Sequence, residues 1–495
     1  MNVTTRDLLA AAAAHAADFL ESLDDRPVHA AAALPDLRKA LHRPLPDKPQ
    51  AAKTVLDELV SDTAGGLLGS AGGQFFGWVI GGGVPAALAA DWLTSTWDQN
   101  AALYACGPAE AVIEEITGEW LKELLGLPGS ASFAFTTGTQ MGHLTALAAA
   151  RHHLLESRGW DVERQGLAGA PAVRVLTSGL EHASIQRSAR LLGIGTDALV
   201  AVGHDEHDRI DLAELERTLD EHADAPTIVC LQAGEINTGA FDDYTRACRL
   251  AHTYDSWVHV DGAFGLWAAV SPTHRHLLTG LELADSWTTD AHKWLNVPFD
   301  SGLVFVAHPD AHRAAISTRA SYLVHAGDAS ASVSSGPPAR DQIDWNPEWS
   351  RRGRGVAVYA ALRSLGRQGI AETVERCTRH AQRLVTAIGA LPGAEVIVAP
   401  QINQGLVRFL APDGGHDQHT DTIIDRIQAT GQAWFGGSTY RGMRVMRISV
   451  VNWRTTDGDV DRAVTAVHDV LAGVVREFEE GRVSNAPWPT RRGNS

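Results

Sequence analysis

From about Ser130 onward the chain alternates short runs of β-forming residues with longer stretches of helical period. The runs ASFAF, AVRVLTS, ALVAVG, TIVCLQA, WVHVDG, DSWTTD and GLVFVA predict strands. Between several of them lie MGHLTALAAARHHLLESRG, HASIQRSARLLG, LAELERTLDEHAD and YTRACRLAHTYDS, whose apolar positions recur at helical spacing. Strands that alternate with helices need crossover connections, so the pattern predicts an α/β fold whose mainly parallel sheet is covered on both faces. Ligands of such sheets bind outside the carboxyl ends of the strands.

The flanking segments read differently. Thr4 or Thr5 can cap a first helix, a proline-punctuated section follows, and a second helix is expected around Ala51 to Val60. Such an arm has little core of its own and is expected to pack on something else, a partner subunit being one candidate. The segment from Thr318 to Trp349 contains HAGDASASVSSGPPARDQ, a patternless connection that reads as a mobile functional loop or as disorder. Beyond it, GVAVYAALRSLGRQGIAETVERCTRHAQRLVTAIGAL predicts one long or bent helix, MRVMRISVVNW a strand, and Asp457 to Glu480 a last helix, while the tail PWPTRRGNS is expected to be poorly ordered. The chain therefore divides into a helical arm over residues 1–85, a large domain over 86–370 and a smaller C-terminal α+β domain over 371–495.

Composition narrows the function classes. The 495 residues are 44% hydrophobic and 20% charged, ordinary for a folded protein with ample burial capacity. The formal charge of −17 and the lack of a dense basic run argue against nucleic acid as a partner. Cys106, Cys230, Cys248 and Cys377 are scattered without CxxC spacing, which speaks against a structural zinc site or a disulfide framework and fits a reducing cytoplasm. The N-terminal stretch is interrupted by Arg6, His15 and Asp18 and reads as an amphipathic helix, and no apolar run approaches the ~20 residues of a membrane span.

Polar residues collect where the predicted strands end. TTGTQMGHLTAL, Thr136 to Leu147, offers backbone N–H groups, hydroxyls and a helix N-terminus suited to a phosphate, without the P-loop pattern. His182 in SGLEHAS has small neighbours that leave its ring face free. GEINTGAFDD places Asn237 and Thr238 at another strand end, VHVDGAFG places Asp261, and DSWTTDAHKW places Lys293. An anion cradle, a stackable ring, a carboxylate and an amine are what pyridoxal phosphate (PLP) requires for its phosphate, ring face, pyridine nitrogen and aldehyde. A metal site on GHDEHD, His204 to Asp208, lacks a clear third ligand.

DAHKWLNVPFDSG resembles the lysine signature of the group II PLP-dependent amino acid decarboxylases, the family of aromatic-L-amino-acid and glutamate decarboxylases. FFGW, TTGTQMGHLTALAAAR, EHASIQRSARLLGIG, NTGAFD and HVDGAFG carry the same resemblance. It implies a type I aminotransferase-like fold, a homodimer with shared active sites, an amino acid substrate and PLP as cofactor, with no metal. Lys293 would form the Schiff base with His292 beside it, Asp261 would pair with the pyridine nitrogen, and His182 would stack on the ring. Gly138, Thr139 and Gln140 would face the phosphate, although many relatives carry a small hydroxyl residue where Gln140 stands, and Asn237 and Ala263 would complete the cofactor contacts. Phe75, Phe76 and Trp78 would line the substrate pocket.

One departure bears on the product. Relatives that form amines are thought to protonate Cα with a mobile-loop tyrosine, and ungapped alignment through Arg351 and Arg352 places Gln342 at that position. No tyrosine occurs between Tyr322 and Tyr359. The resemblance thus implies decarboxylation of an aromatic or bulky apolar L-amino acid, with two alternatives: oxidative decarboxylation-deamination to an aldehyde, or aminotransfer or β-carbon cleavage on the same scaffold. A binding protein without activity has no need of Lys293, Asp261 and His182 together.

Overall fold

The computed structural model describes residues 3–318 and 339–479. Tyr322, most of the Thr318–Trp349 connection and the C-terminal tail lie outside the described residues. Each predicted strand of the large sheet is present: β1 Ser132–Thr136, β2 Arg174–Thr177, β3 Leu199–Ala201, β4 Thr227–Gln232, β5 Trp257–Asp261, β6 Ser286–Asp290 and β7 Gly302–Val306. They pair in the order β1-β7-β6-β5-β4-β2-β3, parallel throughout except for β7, which runs against both neighbours. The sheet is therefore mixed but mostly parallel. The interior of β1 and β4 to β7 is buried on both faces, as the near-continuous apolar runs require.

The N-terminal arm comprises α1 Thr5–Glu21, α2 Leu34–Leu41 and α3 Ala52–Thr63. Thr4 caps α1 in a reciprocal box with Asp7. None of the three helices has a buried residue, and Leu9, Leu34, Leu41, Leu45 and Leu59 remain exposed. Next come α4 Pro85–Trp97 and α5 Pro108–Leu125, then the helices around the sheet: α6 Thr139–Glu156, α7 Val162–Gln165, α8 Ala183–Leu191, α9 Leu212–Glu221, α10 Tyr244–His252 and α11 Pro309–Ile316. The predicted long helix is α12 Gly355–Gly389, bent at Gly366, whose φ of 61° is a left-handed value that suits glycine.

A second, antiparallel sheet pairs β8 Ala394–Val398, β9 Gln404–Phe409, β10 Gly436–Tyr440 and β11 Met443–Ser449 in the order β10-β11-β9-β8. Helices α12 and α13 His416–Thr430 pack against it, and α14 Asp457–Glu479 packs on those two helices. No described helix is long and apolar enough to cross a membrane.

Candidate active site

The register of the large sheet gathers the candidate residues along one edge. Thr136 and Asp290 both pair with Gly302, and Asp261 pairs with both Gln232 and Thr288. The turn after β1 therefore meets the turn after β6. The approach is so close that a Cβ on Gly302 would lie 2.4 Å from Gly138 Cα, which excludes any side chain there.

Lys293 follows β6 in that turn. Its Nζ lies 3.0 Å from Asp290 Oδ2, and Asp290 Oδ1 accepts the Thr139 N–H at 2.7 Å. Asp290 is buried; burial pushes its carboxyl upward, but the charges of Lys293 and His292 and the Thr139 N–H outweigh this and hold it below the usual carboxylate range. Asp290 is not among the residues expected from sequence, although a carboxylate three positions before the lysine is the available signal. Asn296 fixes the lysine turn from the other side. Its Oδ1 accepts the N–H groups of Gly82 and Trp453 at 2.8 and 3.0 Å, and its Nδ2 donates to Val451 O at 2.9 Å. A Cβ at Gly81 would come within 2.1 Å of Lys293 O, so the glycine-rich segment also rests directly on the lysine backbone.

Asp261 closes β5. The Ala263 N–H donates to its Oδ1 at 3.1 Å, and buried His143 places Nε2 3.3 Å from its Oδ2. Burial opposes ionisation of this carboxyl, yet His143, Lys293 and the Ala263 N–H hold it well below the carboxylate range. His182 caps α8 and stands at the rim, open to solvent on one side, with Nδ1 2.7 Å from Ser184 Oγ. Partial burial lowers its basicity, so the ring is neutral near pH 7 and presents a flat face without a charge. His292 accepts the Ser301 N–H on Nδ1 at 3.1 Å, keeps Nε2 3.7 Å from Asp290 Oδ1 and has its basicity lowered mainly by burial.

At the anion end, Thr139 Oγ1 is buried without a partner at the start of α6. The Gln140 N–H in that first turn has no intrahelical acceptor. The Gln140 side chain is turned away: its Nε2 donates to Ser188 Oγ at 2.8 Å and ties α6 to α8. Its share of an anion cradle is thus its main chain, a correction to the expectation for its side chain. Asn237 is likewise engaged elsewhere, since its Nδ2 donates to Glu235 at 3.1 Å and its Oδ1 accepts from Ser438 Oγ at 2.7 Å in the small sheet.

The expected pocket aromatics divide. Phe76 is fully buried and stacks on Phe435 with ring centroids 5.2 Å apart, so it belongs to the core. Phe75 is buried beneath Trp434 at 4.8 Å, and Trp78, 51% exposed, leans on the same indole at 4.5 Å. Trp434 was not singled out from sequence because it reaches this site from the segment between α13 and β10. Gln342, aligned by counting with a mobile-loop position, is instead buried in a short helical turn with its Oε1 bonded to Arg340. His204 and Asp208 approach only to 3.8 Å, and no group of three or more ligating side chains among the described residues could hold a metal ion.

These features fit PLP: an orphaned hydroxyl at a helix N-terminus, a flat neutral ring, a carboxylate held ionised and an accessible amine. Comparisons with known proteins agree. The model of the pyridoxal-dependent decarboxylase conserved domain matches residues 35–411. The aromatic-L-amino-acid decarboxylase of Bacillus atrophaeus is 27% identical over 451 residues, covering 89% of each chain. Phenylacetaldehyde synthase of a Rosa hybrid cultivar is 24% identical, covering 93% of this chain and 92% of that one. The crystal structure of Oryza sativa TDC with PLP and tryptamine superimposes with a TM-score of 0.88 at 22% identity over 96% of this chain and 99% of that one. The architecture is the type I PLP fold.

Proposed function

Because the chain belongs to the pyridoxal-dependent decarboxylase family, we propose that it removes the α-carboxylate of an aromatic or bulky apolar L-amino acid and releases the amine. The observation that carries this reading is the convergence of Lys293, Asp261 and His182 at the carboxyl ends of β6, β5 and β2, with the exposed face of Trp78 on Trp434 offered to an apolar substrate group. Bound PLP supplies an aldehyde that captures amines and a ring that draws electrons from the bond broken at Cα. Lys293 Nζ is the amine that receives it, held at the mouth of the site by Asp290. Asp261 holds a proton at the ring nitrogen, and neutral His182 covers one ring face. Thr139 Oγ1 and the first N–H groups of α6 take the phosphate.

A second reading follows from the proton balance. Amine formation replaces the lost carboxylate with a proton at Cα, and the sequence holds no tyrosine between Tyr322 and Tyr359 to supply it. Conversion of amino acid, O2 and water to aldehyde, CO2, ammonia and hydrogen peroxide needs no such donor, and the similarity to a phenylacetaldehyde synthase supports it. Purified holoprotein given a panel of L-amino acids, with CO2, amine, ammonia and O2 followed together, separates the two. Matching CO2 and amine without O2 uptake is the expected result, and no CO2 from any amino acid overturns both readings.

The same proposal includes a homodimer, supported by the exposed leucines of an arm without a buried residue in its helices. Deletion of residues before Gln74 is expected to abolish the dimer, and a soluble, active truncated dimer refutes this part. A cytoplasmic location fits the four unpaired cysteines.

A further inference from the structure

We propose that His143 is a positioning residue for Asp261, its tautomer set by a one-directional hydrogen-bond chain that starts at Trp257. The inference rests on the reading of Asp261 as the partner of the cofactor's ring nitrogen. Alternate residues of a strand share a face, so Trp257, His259 and Asp261 of β5 point the same way. In the adjacent strand β6, Ser286 pairs with His259 and Thr288 with Asp261. Helix α6 packs across β5, β6 and β7 and lowers His143, fully buried, into the middle of this polar row.

The contacts form a line. The Trp257 Nε1–H donates to Ser286 Oγ at 2.9 Å, and Ser286 Oγ lies 2.9 Å from His259 Nδ1. His259 Nε2 is 2.8 Å from His143 Nδ1, the two rings meeting edge to face at 88°. His143 Nε2 then lies 3.3 Å from Asp261 Oδ2, an electrostatic approach without the alignment of a full hydrogen bond.

The carboxylate end of the line sets its direction, and the indole end is compatible with it. An indole nitrogen only donates, so Ser286 accepts from Trp257 and keeps its own hydrogen free for His259 Nδ1. His259, whose basicity burial drives down to about 3, is neutral and carries its hydrogen on Nε2. That hydrogen goes to His143 Nδ1, which also lies 3.4 Å from the Thr288 hydroxyl, a second donor. The remaining His143 hydrogen sits on Nε2 and faces the carboxylate. Reversal of the chain would aim a nitrogen lone pair at Asp261, which as a carboxylate only accepts. With Oδ1 taken by the Ala263 N–H and Oδ2 faced by His143, the carboxylate is fixed in rotation and in charge.

The test uses holoenzyme loaded with ring-15N PLP and compares wild type with His143→Leu, His143→Gln and His143→Asn. A glutamine amide reaches the place of Nε2, whereas an asparagine amide reaches only that of Nδ1. Wild type and His143→Gln are expected to give a protonated ring-nitrogen signal. His143→Leu and His143→Asn are expected to shift that signal toward the unprotonated ring and to release cofactor at least about tenfold faster, the scale typical of lost outer-shell partners. If His143→Leu misfolds, the Gln and Asn pair decides alone. Equal ring-nitrogen signals and release rates in wild type and all variants overturn the role of His143. An unprotonated ring nitrogen in wild type instead overturns the reading of Asp261 itself.

Discussion

Replacement of Glu110 by glutamine is expected to stabilise the protein at alkaline pH and to leave it nearly unchanged in acid. Glu110 lies in the first turn of α5, 1% exposed, with neither carboxyl oxygen hydrogen-bonded. Arg351, whose charge favours the ionised form of Glu110, is already committed to Glu114 at 2.9 Å, and both side chains of that pair are fully buried. Burial and the Glu114 charge push the Glu110 carboxyl from 4.5 up to about 7, against the weaker pull of Arg351 and Arg352. A folded-state value above the unfolded one means that the native protein binds this proton more tightly. Its contribution is fully favourable below pH 4.5 and is lost as pH rises to about 7. The shift of about 2.5 units corresponds to roughly 3 kcal/mol, at about 1.36 kcal/mol per unit. With an unfolding entropy of ~2.1 cal/mol/K per residue, a chain of this length loses about 1 kcal/mol per degree, so the variant should melt about 3 °C above wild type near pH 8. Near pH 5 the difference should shrink to about 1 °C or less. Scanning fluorimetry at the two pH values, with matched scan rates, reads this directly. An equal offset at both, or a variant less stable near pH 8, refutes the assignment of an uncompensated buried carboxyl.

Two further substitutions probe the site's construction. Asn296→Ala leaves the Gly82 and Trp453 N–H groups and the Val451 carbonyl without their partner in a buried turn. It is expected to cost about 2–5 kcal/mol and to weaken PLP retention, checked by denaturant unfolding and cofactor dialysis. Wild-type retention would show that the turn does not depend on this clamp. Gln140→Ala removes the ties to Ser188 Oγ and Ser184 O in α8, so its expected cost is ~1 kcal/mol of stability with less than about a threefold change in PLP affinity; a loss of tenfold or more would return the Gln140 side chain to the phosphate cradle.

The sequence was most informative where chemistry and periodicity coincide. The strands of the large sheet and the placement of His182, Asp261 and Lys293 at their carboxyl ends follow from local pattern alone. What escaped depends on which elements meet. Asp290 acquires its role because β6 and β1 both pair with Gly302, a register that brings Thr139 N–H to its carboxylate. His143 reads as one more polar residue on an alanine-rich helix, and only the packing of α6 over β5 sets it against Asp261. Asn237 and Phe76 were drawn toward the site by the motifs around them. The structure gives Asn237 to Ser438 and Phe76 to Phe435, contacts with the small-domain segment about 200 and 360 positions away in sequence, beyond the reach of any local pattern. Counting from Arg351 placed Gln342 in a mobile loop, but Arg340 and the Ile343 N–H, which donates to Ala102 O at 2.9 Å, pin that turn to the body of the protein.

The proposed chemistry turns on Lys293 as the amine that binds the cofactor. Borohydride reduction of the holoenzyme, followed by proteolysis and mass spectrometry of the peptides, tests it most directly. A phosphopyridoxyl group is expected on the peptide that carries Lys293, and none after Lys293→Ala. Reduction that fixes the group on another lysine, or that fixes none in protein saturated with PLP, would contradict it.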